Sequence, residues 1–200
     1  MLARSITFHG RPGSVEAGTR FVIDEVAPAL DRIDGFRGIS LLVDRHDGQG
    51  ILTTSWRDQI SLDASDAALR PVRDRGRDII GGTMEIDTWE IAVMHRSAHG
   101  ECCRVTWVEG SVDKATDLFR FGVIPVLDDQ RGFCSASLLI DRKNDVVCST
   151  TCWSSRESME SSRDVADMLR GRVVEESQGR IADIKEYALA YAHLHVPEMT

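Results

Sequence analysis

The sequence predicts an α+β fold in which two copies of one β-α-β-β-α-β unit, residues 1–99 and 100–200, close into a single pseudo-dimeric α/β barrel. Three observations predict it. The chain matches itself when slid by 97 positions. Each half runs through the same order of apolar periodicities and turn signals. The first hairpin strand of each half is apolar on both faces, so it must be covered on both sides.

The repeat is the strongest signal. Gly35-Phe36 falls on Gly132-Phe133, Ser40-Leu41-Leu42-Val43-Asp44-Arg45 on Ser137-Leu138-Leu139-Ile140-Asp141-Arg142, and Thr53-Thr54-Ser55-Trp56 on Thr150-Thr151-Cys152-Trp153. From Ser14 to Ser65 the match is gapless, with 19 of 52 positions identical. After a one-residue slip Asp87-Thr88-Trp89-Glu90 meets Asp183-Ile184-Lys185-Glu186. Self-similarity of this length marks a duplicated structural unit. Residues 66–82 and 163–179 diverge, so the two copies need not both keep a functional site, and at most one functional pocket is expected.

The first strand is expected over Ser5–His9 and Arg104–Val108. A helix follows, with Ser14 and Ser111 as candidate N-caps. Its buried face is Val22, Val26, Ala29, Leu30 and Ile33 in one half, and Phe119, Val123, Val126 and Leu127 in the other. Pro28 and Pro125 interrupt that pattern at the same place and predict a kink. Gly35 and Gly132 end the helix. A hairpin comes next, turning at Asp47-Gly48 and at Asn144-Asp145. The second helix begins near Asp58 and near Ser154, where Ser154-Ser155-Arg156-Glu157 fits a capping box. Val165, Met168, Leu169 and Val173 form its buried stripe, and Gly82 and Gly179 close it. The last strands are Ile86–His95 and Ile184 to about His193. This is the ferredoxin-like order. Its sheet keeps one face uncovered, and the second copy can cover it.

Composition bounds the function. A net charge of -8 argues against nucleic acid and membrane surfaces, which are anionic. No segment is long and apolar enough for a transmembrane helix. The N-terminus carries no apolar leader, and the cytoplasm is the expected compartment. Five cysteines, an odd number, then read as thiols rather than bridges.

The motif Gly-Phe-x-x-x-Ser-Leu-Leu-x-Asp-Arg, a hairpin, a Thr-Thr-x-Trp strand end and a Ser/Glu-rich helix resemble the antibiotic biosynthesis monooxygenase superfamily of dimeric α/β barrels. The resemblance covers nearly the whole chain, twice. It implies that one chain carries what is usually two subunits. It also implies a small hydrophobic or aromatic ligand, with cofactor-free oxygenation as one activity, no cofactor required, and a homo-oligomer of the pseudo-dimeric chain as a further expectation. Trp56 and Trp153 match the family's Trp at the end of the third strand. The Asn that the quinone-forming oxygenases place four residues earlier is Leu52 or Ser149 here, and their helix Tyr is Leu62 or Met159. The iron-ligating His of haem-degrading members has no counterpart within 58–82 or 155–179.

Candidate ligand-lining residues are therefore Trp56, Trp153, Trp89 and Trp107, each of which can equally be core. Candidate bases are His9, His95 and His193 near strand ends. His193 and His195 alternate on a strand and face one way, but two ligands are too few for a zinc site. Asp44-Arg45 and Asp141-Arg142 suit an anion or a substrate carboxylate, or else a solvated hairpin or an ion pair between the halves. Cys148 and Cys152 lack a metal-binding spacing and read as buried thiols. No phosphate loop, dinucleotide fingerprint or nucleophile triad is present. A non-catalytic binding protein and a structural, stress-related oligomer remain alternatives.

Overall fold

The strands are β1 (Leu2–His9), β2 (Phe36–Asp44), β3 (Gln49–Trp56), β4 (Thr83–Arg96), β5 (Cys102–Glu109), β6 (Phe133–Asp141), β7 (Val146–Trp153) and β8 (Arg180–Leu194). In the computed structural model, which describes residues 1–199, they form one closed antiparallel barrel in the order β1-β3-β2-β8-β5-β7-β6-β4. Within it the chain makes two compact units. Unit one is Met1–Trp89 with Ala188–Val196, and unit two is Glu90–Tyr187 with the residues from Pro197 onward. The final strand of each repeat is longer than expected. In unit one β2 pairs with the late part of β8, from Gly38↔Leu194 to Val43↔Ala188. In unit two β6 pairs with the late part of β4, from Glu90↔Ile140 to Arg96↔Ser135.

The first helix is interrupted in both repeats by the same device. In unit one α1 (Val15–Phe21) runs into a π-helical turn, Val22–Val26, and then α2 (Ala27–Leu30). In unit two α4 (Val112–Leu118) runs through Phe119–Val123 into α5 (Ile124–Asp128). The amide of Ala27 reaches back to the Val22 carbonyl, and that of Ile124 to the Phe119 carbonyl. The extra residue places Pro28 and Pro125 in the first turn of the following helix, where a missing N–H costs nothing. The kink expected at these prolines is thus a π-turn just before them. The helices stop at Leu30 and Asp128, short of Gly35 and Gly132, which take φ of 82° and 81° in the turn beyond.

Both hairpin turns are built by an aspartate. The Asp44 carboxylate accepts from the His46 and Asp47 amides at 2.8 and 3.2 Å, and Asp141 accepts from Lys143 and Asn144 at 2.9 and 3.2 Å. Gly48 takes φ of 73° with no steric cost, whereas Asp145 holds φ of 53° at the equivalent place.

The second helix differs between repeats. In unit one α3 (Gln59–Ile80) is continuous and is capped by Asp58. The Ser61 amide and hydroxyl donate to the Asp58 carboxylate, with Arg57 beside it, and hold its pKa down at about 2. In unit two the helix breaks at Ser162 into α6 (Arg156–Ser161) and α7 (Arg163–Ser177). Its cap is Ser155, which accepts from the Ser158 amide at 3.1 Å, and not Ser154. Ser14 and Ser111 cap nothing with their side chains, and the Ser14 hydroxyl instead donates to the Arg11 and Ile80 carbonyls. Gly81 and Gln178, rather than Gly82 and Gly179, take the left-handed capping conformation. Met168, expected in the buried stripe, is 60% exposed, while Leu169 is buried.

The expectation of five thiols is overturned. Cys103 and Cys152 form a disulfide, and Cys102, Cys134 and Cys148 are buried thiols outside it. The reason is strand register, which pairs β5 with β7 so that Cys103 lies directly opposite Cys152. In unit one the corresponding pair is Ala3 and Ser55.

Candidate functional site: a helix–sheet cavity in each unit

Each unit packs its helices on one face of its strands around a buried Trp. Trp56 and Trp153 are wholly inaccessible. The Trp56 indole N–H donates to Thr54 Oγ1 at 3.0 Å, and Thr54 donates to the Arg4 carbonyl at 3.3 Å. Trp153, Thr151 and Arg104 repeat this chain at 3.3 and 3.4 Å. Each Trp also meets a phenylalanine edge-on, Phe36 or Phe133, at 5.6 Å between centroids.

Beside each Trp lies an apolar cavity between helices and sheet, of about 80 Å³ in unit one and about 60 Å³ in unit two. Their linings correspond. Arg4, Leu41, Thr54 and Arg73 stand in the first where Arg104, Leu138, Thr151 and Arg170 stand in the second. The expectation that divergence leaves a single pocket fails in geometry: two equivalent cavities exist. Their chemistry differs. Gly18 and Gly76 line the first where Ala115 and Val173 narrow the second. In the first, the Thr19 hydroxyl is buried with no hydrogen-bond partner. At the equivalent position Thr116 donates to the Val112 carbonyl at 2.8 Å.

The arginines also differ. In unit one Asp66 receives both Arg4, at 2.7 Å, and Arg73, at 3.0 Å. Arg4 donates further to Ser65 Oγ at 3.2 Å, and Arg73 to the Asp66 carbonyl at 2.8 Å. In unit two Arg104 pairs with Glu186 at 3.0 Å and donates to the Met159 carbonyl at 2.8 Å, while Arg170 pairs with Asp167 on its own helix.

The residues singled out by sequence are spread over several environments. Trp153 lines the cavity of unit two, whereas Trp56 is core beside that of unit one. Trp89 is buried and donates to Ser5 Oγ at 2.9 Å. Trp107 is half-buried on β5 opposite Cys148, and His9 is half-buried at the end of β1 opposite Gln49. His95 stacks on Phe133 with centroids 6.1 Å apart, which brings it within one ring of Trp153. Its Nδ1 lies 2.6 Å from Glu198 Oε1 and its Nε2 2.7 Å from Asp128 Oδ1. Burial lowers the His95 pKa, but the bonds to Asp128 and Glu198 outweigh it and leave the value raised. His193 and His195 do converge, with Nε2 atoms 2.7 Å apart. Among the described residues no group of three or more His, Cys, Asp or Glu is placed to hold a metal ion. Arg45 pairs with Glu16 at 2.7 Å, and Arg142 with Asp113 at 2.6 Å, so both hairpin arginines are tied to neighbouring elements.

Arg4, Thr19, Asp66 and Arg73 were not among the sequence candidates. The signal for three of them was present. Thr19 and Thr116, and Arg73 and Arg170, coincide at the repeat offset, and Arg4 and Arg104 occupy the same place in the first strands.

This fold, one eight-stranded barrel built from two units of a single chain, is shared with solved monooxygenase-like proteins. An anthrone oxidase-like protein shares it with a TM-score of 0.66 at 15% identity, covering 97% of this chain and 93% of that one. A monooxygenase-like protein from Listeria innocua aligns with a TM-score of 0.56 at 9% identity over 94% of each chain. A heme-degrading enzyme from Listeria monocytogenes aligns with a TM-score of 0.55 at 8% identity over 93% and 98%. The chain belongs to the same family as the uncharacterized Mycobacterium tuberculosis proteins Rv2557 and Rv2558. It is 40% identical to each, over 98% of its own length and 91% and 86% of theirs. No protein-family model matches it. No helix among the described residues is long and apolar enough to cross a membrane.

Proposed function

We propose that this protein binds a small hydrophobic or aromatic molecule in the cavity of unit one. The observation that carries the reading is Thr19, a residue of the cavity lining whose hydroxyl is buried without a hydrogen-bond partner. Such a group costs about 1–3 kcal/mol unless something hydrogen-bonds to it. A ligand bearing one polar atom on an apolar body recovers that cost. The volume limits the ligand: about 80 Å³ is well under the roughly 300 Å³ of a drug-sized site. A short chain or the edge of one ring fits, and anything larger must displace the wall that contains the π-turn.

Fluorine NMR with fluorobenzene and 5,5,5-trifluoropentan-1-ol tests the reading. Saturable line broadening that is lost in Gly76→Val, which gives the cavity the residue of unit two, is expected. Unsaturable signals would leave the structural-oligomer reading, which the small cavities favour. Turnover is a separate question, raised by the anthrone oxidase-like neighbour. Oxygen uptake with anthrone that depends on Thr19 supports a cofactor-free monooxygenase, and a flat trace leaves a binding protein.

A further inference from the structure

Resting on that reading, we infer that the unit-one cavity selects an anion: an apolar body whose carboxylate or other acidic oxygen is held by Arg4 and Arg73. Both arginines line the cavity, and Asp66, the one carboxylate among the described residues that pairs with either, does not. One carboxylate shared by two guanidiniums leaves one positive charge in surplus. Their exposures show where it sits. The Arg4 side chain is 10% exposed and that of Arg73 21%, while Asp66 is 48% exposed. The acid is the more exposed partner, and the two cations on the cavity wall are largely buried.

A surplus charge so poorly hydrated is an anion site, because a guanidinium presents its donors in a plane that matches a carboxylate. Asp66 displays this mode already, meeting Arg4 through both oxygens, Nη1 to Oδ1 at 2.7 Å and Nη2 to Oδ2 at 3.2 Å. The Thr19 hydroxyl, unpartnered on a residue that lines the same cavity, becomes available to a second polar atom of the ligand after a turn of its side chain.

Unit two serves as the internal control. Its lining arginines occupy the same positions, but each has its own carboxylate: Arg170 pairs with Asp167, and Arg104 with Glu186, which also takes Arg163, a residue outside the cavity lining. Asp167 stands where unit one has Arg70, and Arg163 stands where unit one has Asp66. Only in unit one do the two lining arginines share a single carboxylate.

The test compares 5,5,5-trifluoropentanoate with 5,5,5-trifluoropentan-1-ol, and 4-fluorobenzoate with 4-fluorobenzyl alcohol, by fluorine NMR on the full chain at low salt. Each acid should bind at least about tenfold more tightly than its alcohol, the ratio worth one 1.4 kcal/mol step. Arg73→Gln leaves Arg4 paired with Asp66, so the fold is kept, and it should cut the preference to within about twofold. Asp66→Asn raises the surplus and should widen the preference, an opposite effect that loss of packing cannot produce. Acids and alcohols binding alike would overturn the anion inference while leaving the ligand-binding reading intact. A preference unchanged in both variants would overturn it as well. If neither member of any pair binds, both fall together.

Discussion

Thr19 and Thr116 occupy one position in two copies of the same helix, yet only Thr116 has a partner, the Val112 carbonyl at 2.8 Å. Divergence around a retained residue has left one hydroxyl satisfied and the other stranded beside a cavity. Replacing a buried, unpaired hydroxyl by a methyl removes a desolvation cost and fills apolar space. Thr19→Val should therefore raise stability by about 1 kcal/mol, whereas Thr116→Val should lower it by a similar amount. Urea melts of the two variants check the opposite signs.

Gly18 makes a second contrast. It lies inside α1, and a Cβ added there would meet the Ile80 Cγ1 at 3.7 Å, an ordinary contact. Its counterpart in unit two is Ala115. A glycine within a helix costs roughly 0.5–1 kcal/mol relative to alanine. Gly18→Ala should stabilise the protein by that amount and narrow the cavity, so ligand binding should weaken as the melting temperature rises. Gain in both would show that Gly18 serves no opening.

These contrasts also show what the sequence could and could not carry. The barrel was legible because Ser14–Ser65 repeats without a gap and because β2 and β6 are apolar on both faces. Pro28 and Pro125 marked the place of the helix interruption but not its form, since a π-turn and a kink leave the same residues in the same order. The cavities were not legible, because they depend on what faces a space across elements far apart in sequence: Arg4 on β1 meets Asp66 on α3. The disulfide was hidden in the same way. Its cysteines lie 49 residues apart, and only the register of β5 with β7 opposes them.

His95 joins β4 to both α5 and the C-terminal residues, through Asp128 at 2.7 Å and Glu198 at 2.6 Å. Glu198 Oε2 also accepts from the Arg96 amide at 3.2 Å, and Met199 pairs with Met94 through the backbone. An imidazole can donate to two carboxylates only when protonated. With its folded pKa above the ordinary 6.5, the clamp contributes fully below that ordinary value and is lost as pH rises through the raised one. Melting temperatures of the wild type and His95→Gln, measured from about pH 5.5 to 8.5, should differ most at the acid end and converge at the alkaline end. A constant gap would mean that packing on Phe133, and not charge, holds this corner.

The disulfide gives the last prediction. In denaturant without reductant three thiols should react with a thiol reagent, those of Cys102, Cys134 and Cys148, and five after reduction. A bridge across 49 residues removes roughly 4 kcal/mol of chain entropy from the unfolded state. Reduction, or Cys103→Ala with Cys152→Ser, should therefore lower stability by up to about that much. Those replacements restore the types of residue that unit one carries at the same places, Ala3 and Ser55, so the native packing has a precedent in the same chain. A loss near zero with five thiols free at the outset would show that register alone brings these sulfurs together and that the bond never forms.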